Sequence, residues 1–213
     1  MNRKTRNIIA ALYVVSLLAL VTGATYSFFT VIRVYKVAPK VEAETATLNY
    51  ILFDTGNPIS IYPNTENFRE GMGNISSATF ARVFLRHAEG DEAATVKYNL
   101  FINIESNTLT YSVNENKPEL ILELKDYNGN EVTNIEGLEY KEVTDGKGNV
   151  IKGFDITTKV GKFRIAENRE ITTETELTER WDAKVTYVNL SESQDNNLEK
   201  ELKGYIRIEK VEE

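Results

Sequence analysis

The stretch TVKYNLFINI, residues 95–104, runs with a period of two, departing from it only at Phe101. Val96, Tyr98, Leu100, Ile102 and Ile104 fall on one side, and Lys97, Asn99 and Asn103 on the other. A β-strand sends successive side chains to opposite faces, so this pattern predicts a strand with one face packed and one in water. The same period recurs in TLNYILF (47–53) through Leu48, Tyr50 and Leu52, and in ELILELK (119–125) through Leu120, Leu122 and Leu124. It appears again in WDAKVTYVN (181–189) through Ala183, Val185 and Tyr187, and in LKGYIRIEKV (202–211) through Leu202, Ile206 and Ile208. TFARVFLRHA (79–88) fits a short helix by spacing, but its aromatic and β-branched content assigns it to a strand.

Turn chemistry separates these runs. Tyr127-Asn128-Gly129-Asn130 and Asp145-Gly146-Lys147-Gly148-Asn149 supply residues that accept positive φ, as hairpin connections require. Roughly eight to ten strands predict an all-β fold of two antiparallel sheets packed face to face, a jelly-roll or immunoglobulin-like β-sandwich over 45–213. The run Thr172–Thr178, alternating β-branched and acidic residues, is expected to be an exposed edge strand.

The N-terminus is of another kind. Residues 8–32 carry no charge and, as a helix, would reach roughly 37 Å, more than a hydrocarbon core of about 30 Å. The leader, residues 1–7, holds Arg3, Lys4 and Arg6 and no acid, which predicts a cytoplasmic N-terminus. The reading is a single-pass anchor at 8–32, a membrane-proximal stalk at 33–44 and an extracytoplasmic domain after it. Cleavage near Ala24 would instead release the domain. All 32 acidic residues follow the apolar run, leaving 22 basic residues against them and a net charge of −10. An acidic body lacks the lysines and arginines that nucleic-acid binding needs.

The 213 residues include no Cys and one His, His87, which removes thiol chemistry and Cys- or His-rich metal sites. Ile51-Leu52-Phe53-Asp54-Thr55-Gly56 matches the pattern around an aspartic-protease carboxylate and makes Asp54 a candidate. That chemistry needs two carboxylates sharing a proton, the chain has no second copy, and a strand ending in a turn explains the same letters. His87 is a candidate general base, weighed against a strand-end residue beside acids. In the oxygen-rich loop 191–197, Glu192 and Asp195 are candidate Ca²⁺ ligands without the spacing of an EF-hand. Gly71-Met72-Gly73 lacks the third glycine of a dinucleotide loop. No cofactor is expected.

Two separated stretches resemble a known family. TGATYSFF (22–29) followed by ATLNYILF (46–53) is similar to the N-terminus of the TasA and camelysin-like surface proteins of Gram-positive bacteria. There a signal block ends at a dedicated signal peptidase site and a strand opens the mature β-sandwich. Thr178–Glu209 also resembles the Trp-led strand, Asn-rich loop and final strand of small surface proteins of this type. Ser27-Phe28-Phe29 departs from the small residues at the family's cleavage position, which favours a retained anchor. The resemblance implies a non-catalytic structural or adhesive protein of the envelope or biofilm matrix. Its expected partners are other surface proteins, further copies joined through β-edge strands, or the cell wall. Two alternatives stand beside it, a surface peptidase (camelysin-like, or through Asp54) and a glycan- or solute-binding module, whose clue would be an exposed aromatic row that the sequence does not show Tyr62, Tyr111 and Tyr140 to form.

Overall fold

Alternating apolar and polar residues become strand through most of the chain after residue 49. The computed structural model describes residues 50–86, 93–114 and 117–211. The apolar run at 8–32, the stalk at 33–44 and His87 lie outside them. The strands are β1 (Tyr50–Thr55), β2 (Ile59–Ile61), β3 (Ile75–Arg86), β4 (Ala94–Asn107), β5 (Leu120–Lys125), β6 (Glu139–Thr144), β7 (Val150–Asp155), β8 (Gly161–Thr173), β9 (Glu176–Tyr187) and β10 (Leu202–Lys210). They form a six-stranded sheet, β1-β3-β9-β5-β7-β6, and a four-stranded sheet, β2-β10-β4-β8. Every strand pairing is antiparallel. The fold is therefore all-β, and the segment at 79–86 is strand, within β3.

One hydrophobic cluster draws on both sheets. β4 contributes Val96, Tyr98, Leu100, Ile102 and Ile104, all buried as their alternation predicts. Val83 and Leu85 of β3 and Trp181, Ala183, Val185 and Tyr187 of β9 meet them from the six-stranded sheet. Each such aliphatic side chain contributes about 1.5–3 kcal/mol by leaving water.

Two expectations change. In β1 the apolar face is the other one. Ile51 and Phe53 pack against the core, because register places them opposite Leu85 and Val83, while Leu52 sits opposite Phe84 on the outer face. The run 172–178 is not one edge strand. Thr172 and Thr173 end β8, and Glu176 begins β9, which lies between β3 and β5. In β5, Leu120, Leu122 and Leu124 point inward as expected, but Ile121 is also fully buried. Val143, Val188 and Leu190 cover it in a second, smaller cluster.

The predicted turns share the pattern Asp-x-x-Gly-Asn. In the β6–β7 hairpin the Asp145 N–H donates to the Asn149 carbonyl at 2.9 Å, while Oδ1 accepts the N–H groups of Lys147 and Asn149, both at 2.9 Å. After β5, Asp126 makes the same three bonds with Asn128 and Asn130. The glycines, Gly129 and Gly148, sit at φ of 80° and 84°, where a side chain would be strained.

Candidate functional site

Asp54 lies near the end of β1 on the outer face, directly opposite Arg82 of β3. Arg82 Nη2 donates to its Oδ2 at 2.5 Å, and both side chains are about one-third or more exposed. Thr55 follows in the strand. Gly56 is required by close approach, since a Cβ there would stand 2.8 Å from Thr79 Oγ1, 2.9 Å from Phe80 Cδ1 and 3.0 Å from the Phe80 nitrogen. The Asp-Thr-Gly letters are thus accounted for by an ion pair and a strand that must pass close to β3 before switching sheets.

Glu192 accepts an ion pair from Lys117 Nζ at 2.5 Å, and Asp195 accepts the Ser193 hydroxyl at 3.1 Å while opening the short 3₁₀ turn Asp195–Asn197. Among the described residues no group of three or more His, Asp or Glu side chains is placed to hold a metal ion.

The loop that carries these two acids has its centre elsewhere, on Glu119. This residue is fully buried between the β4–β5 loop and β5. Its Oε1 accepts the N–H groups of Ser112, at 2.5 Å, and Val113, at 3.3 Å. Its Oε2 accepts from Gln194 Nε2 at 2.8 Å, Asn197 Nδ2 at 2.9 Å and the Tyr187 hydroxyl at 3.2 Å. Five neutral donors thus surround one carboxylate. Burial, and next the Glu119 charge beside it, raise the Tyr187 phenol well above its ordinary value. The Glu119 and Leu120 N–H groups donate to Thr157 Oγ1, whose own hydroxyl donates to Asp155 Oδ1 at 2.7 Å. Burial opposes the Asp155 charge. The Thr157 hydroxyl and N–H, Lys141 Nζ at 3.0 Å and the Tyr111 hydroxyl at 2.9 Å outweigh it and hold the carboxyl below its usual range.

A second polar centre spans the two sheets. The Tyr98 hydroxyl of β4 donates to Glu179 Oε2 of β9 at 2.5 Å and accepts the Trp181 indole N–H at 3.0 Å. Arg169 of β8 closes the set on Glu179 Oε1 at 2.5 Å, with its guanidinium 4.1 Å from the centre of the Tyr127 ring. Burial, then the bond to Glu179, raises the Tyr98 phenol strongly. Both centres clamp elements together. In each, the tyrosine hydroxyl and the carboxylate are buried among side chains of the fold.

The three tyrosines weighed for a binding row are each tied to a carboxylate, Tyr62 to Glu199, Tyr111 to Asp155 and Tyr140 to Glu131. Tyr140 is also stacked edge-on against Phe154, and burial followed by the Glu131 contact pushes its phenol up to about 12. An open depression of about 500 Å³ lies on the outer face of the six-stranded sheet, lined among others by Phe80, Glu123, Lys125, Arg180, Asp182 and Lys184. Its charges are largely consumed internally. Arg180 pairs with Asp182 at 2.9 Å and covers the Phe80 ring at 4.4 Å, and Lys184 pairs with Glu123 at 2.8 Å.

What the fold leaves open is strand edge. Among the described residues, β1, β2 and β6 are short edges of six, three and six residues, whereas β8 has 13 and hydrogen-bonds only to β4. Lys162, Arg164, Glu167, Asn168, Glu170 and Thr172 are its exposed positions. Two register shifts against β4 interrupt it, and Asn168 stands at φ 47° in the left-handed region. Comparison with family models, curated proteins and solved structures finds no match for this chain.

Sequence reading missed Glu119 and Glu179, because burial of an acid is decided by long-range packing. The one local signal was an acid in phase with a buried apolar face, as Glu179 is with Trp181, Ala183 and Val185.

Proposed function

We propose that the protein is a non-catalytic surface subunit with a structural or adhesive role. In this reading residues 8–32 anchor it in the membrane, its N-terminus is cytoplasmic, and its two sheets form an extracytoplasmic β-sandwich of jelly-roll or immunoglobulin type. The observation that carries the reading is the 13-residue edge of β8, paired on one side only among the described residues. An unpaired edge is a template for strand addition, from a second copy or another envelope protein. The TasA-like ends of the sequence support the same class. The ion-paired position of Asp54 gives the peptidase alternative no added weight.

The test has two parts. Intact mass and membrane partitioning of the protein from its native envelope should give a full-length, membrane-bound species. A chain shortened near Ala24 and found in the medium would replace the anchored subunit with a secreted one. Full-length protein in detergent should associate with increasing concentration or capture another envelope protein. A chain that stays monomeric and captures nothing, or that cleaves an unfolded protein in an Asp54-dependent way, would overturn the reading.

A further inference from the structure

The exposed charge on β8 is ordered along the strand. Lys162 and Arg164 lie in its first half, and Glu167 and Glu170 in its second. A strand that is basic at one end and acidic at the other complements itself when a second copy runs antiparallel to it. We infer that the β8 edge pairs with the β8 edge of a second copy about a two-fold axis near Ala166, with Lys162 opposite Glu170 and Arg164 opposite Asn168. This rests on the surface-subunit reading above and names its partner.

Three observations fix that arrangement. The first is facing. Directly opposite residues of an antiparallel pair share a face, so the register must match outer with outer. Lys162 and Glu170 pair with Asn103 and Lys97 of β4, on the outer face, while Phe163 and Arg169 pair with the buried Ile102 and Tyr98. Centring on Ala166 sets Lys162 against Glu170 and Phe163 against Arg169, outer to outer and inner to inner. The two register shifts within β8 cancel over this span, and the one unlike pair, core-packed Ile165 against exposed Glu167, falls beside the axis where the strand is bulged.

Second, the backbone of the edge is available. The 126–138 loop reaches the inner side of β8, where Tyr127 lies under Arg169 and Gly137 approaches the Phe163 ring. Among the described residues no backbone hydrogen bond joins that loop to the strand. Third, the charges that would pair are held only weakly within one chain. Glu170 sits 3.3 Å from Lys97 and Lys162 sits 2.8 Å from Glu209, and these side chains are between about three-tenths and a half exposed. They can be shared with a second copy without uncovering a buried charge.

Such a pair closes on itself, because a two-fold contact uses the same surface on both copies. The two four-stranded sheets would become one of eight strands, and the longest free edge in the described fold would disappear. The product is a discrete dimer, and further assembly must use the shorter edges or another protein.

The absence of Cys makes the test clean. Lys162→Cys and Glu170→Cys are prepared separately in the full-length chain in detergent, and correct folding is checked by Trp181 fluorescence. Opposite Cα atoms in an antiparallel pair stand about 4.5–5.5 Å apart, within disulfide reach. Mixed and oxidised, the two variants are expected to give a covalent dimer, and each alone none, since like positions would lie about eight residues apart, roughly 26 Å. Lys162→Glu should weaken self-association about tenfold by setting acid opposite acid at two places, and the Lys162→Glu/Glu170→Lys exchange should restore it. Cross-linking of either variant alone, or a mixture that stays uncross-linked while the unaltered chain associates, would overturn this pairing and leave the surface-subunit reading standing. An unaltered chain that neither associates nor captures an envelope protein would overturn both.

Discussion

Replacing Glu119 with Gln removes one charge and almost no volume, yet it should be among the most damaging changes available to this chain. On the Oε1 side little is lost, because an amide oxygen still accepts the N–H groups of Ser112 and Val113. On the other side a new NH₂ faces three donors. The Tyr187 hydroxyl can rotate to accept. Gln194 cannot turn over, because its Oε1 takes the Leu190 N–H at 2.9 Å while its amide also donates to the Val188 carbonyl at 3.0 Å. Asn197 is held in the same way by the N–H and carbonyl of Thr110. Two donors are left facing a donor in a site without water access, at about 1–3 kcal/mol each, so the expected loss is about 4 kcal/mol. That is a large part of the 5–15 kcal/mol or so that holds a typical domain folded. Trp181 is the only tryptophan and is buried in the core, so urea unfolding of the detergent-solubilised chain can be followed by its fluorescence. With a slope of about 2 kcal/mol/M the midpoint should fall by about 2 M, while Glu123→Gln on the exposed outer face should leave it in place. A Glu119→Gln midpoint within about 0.5 M of the unaltered chain would refute the claim that this carboxylate holds the two loops.

Tyr98→Phe removes the hydroxyl joining Glu179 to the Trp181 indole, leaves that N–H unpaired, and should cost about 2–3 kcal/mol with a shift in Trp181 emission, measured in the same unfolding experiment. Asp145 is held at about 2, against a usual 3.8, first by the Asn149 side chain and then by backbone N–H groups and Asn74. Its folded value is the lower one, so its contribution is complete above about pH 4 and disappears as the pH falls toward 2. The stability difference between the unaltered chain and Asp145→Ala should shrink over that window, and a difference independent of pH would count against the turn's charge. Gly56→Ala should cost about 1–3 kcal/mol through its clash with Thr79 and Phe80, whereas Asp54→Asn should stay within about 1 kcal/mol, both read from urea midpoints.

Alternation was legible wherever the opposite face meets water. β4, β9 and β10 follow their sequences because each has one apolar side. β1 does not, because Ile51, Leu52 and Phe53 are all apolar and local pattern cannot choose between registers that differ by one residue. Only pairing with Val83 and Leu85, some thirty residues on, selects Ile51 and Phe53. The turns were legible for the opposite reason. An Asp that bonds the N–H groups two and four residues on, followed by a glycine at positive φ, is complete within five residues and needs nothing distant.

The same distinction separates the candidate sites. Asp54 drew notice through its neighbours in sequence, and its neighbours in space are an exposed arginine and a close-packed strand. Glu119 and Glu179 have no motif around them, yet each is buried and accepts from distant elements, Glu179 from Arg169 and Tyr98, 10 and 81 residues away, and Glu119 from Gln194 and Asn197, 75 and 78 residues away. A buried acid gains nothing for catalysis unless a reacting atom can reach it, and these oxygens are already filled by donors of the fold. Their effect is to make the interior specific and stiff. A stiff body presents a long strand edge at fixed geometry, and edge pairing depends on that, because a partner strand must find its donors and acceptors in register along several residues at once. Loosening the Glu119 centre should therefore weaken association through β8 even though no residue of that centre lies on the edge.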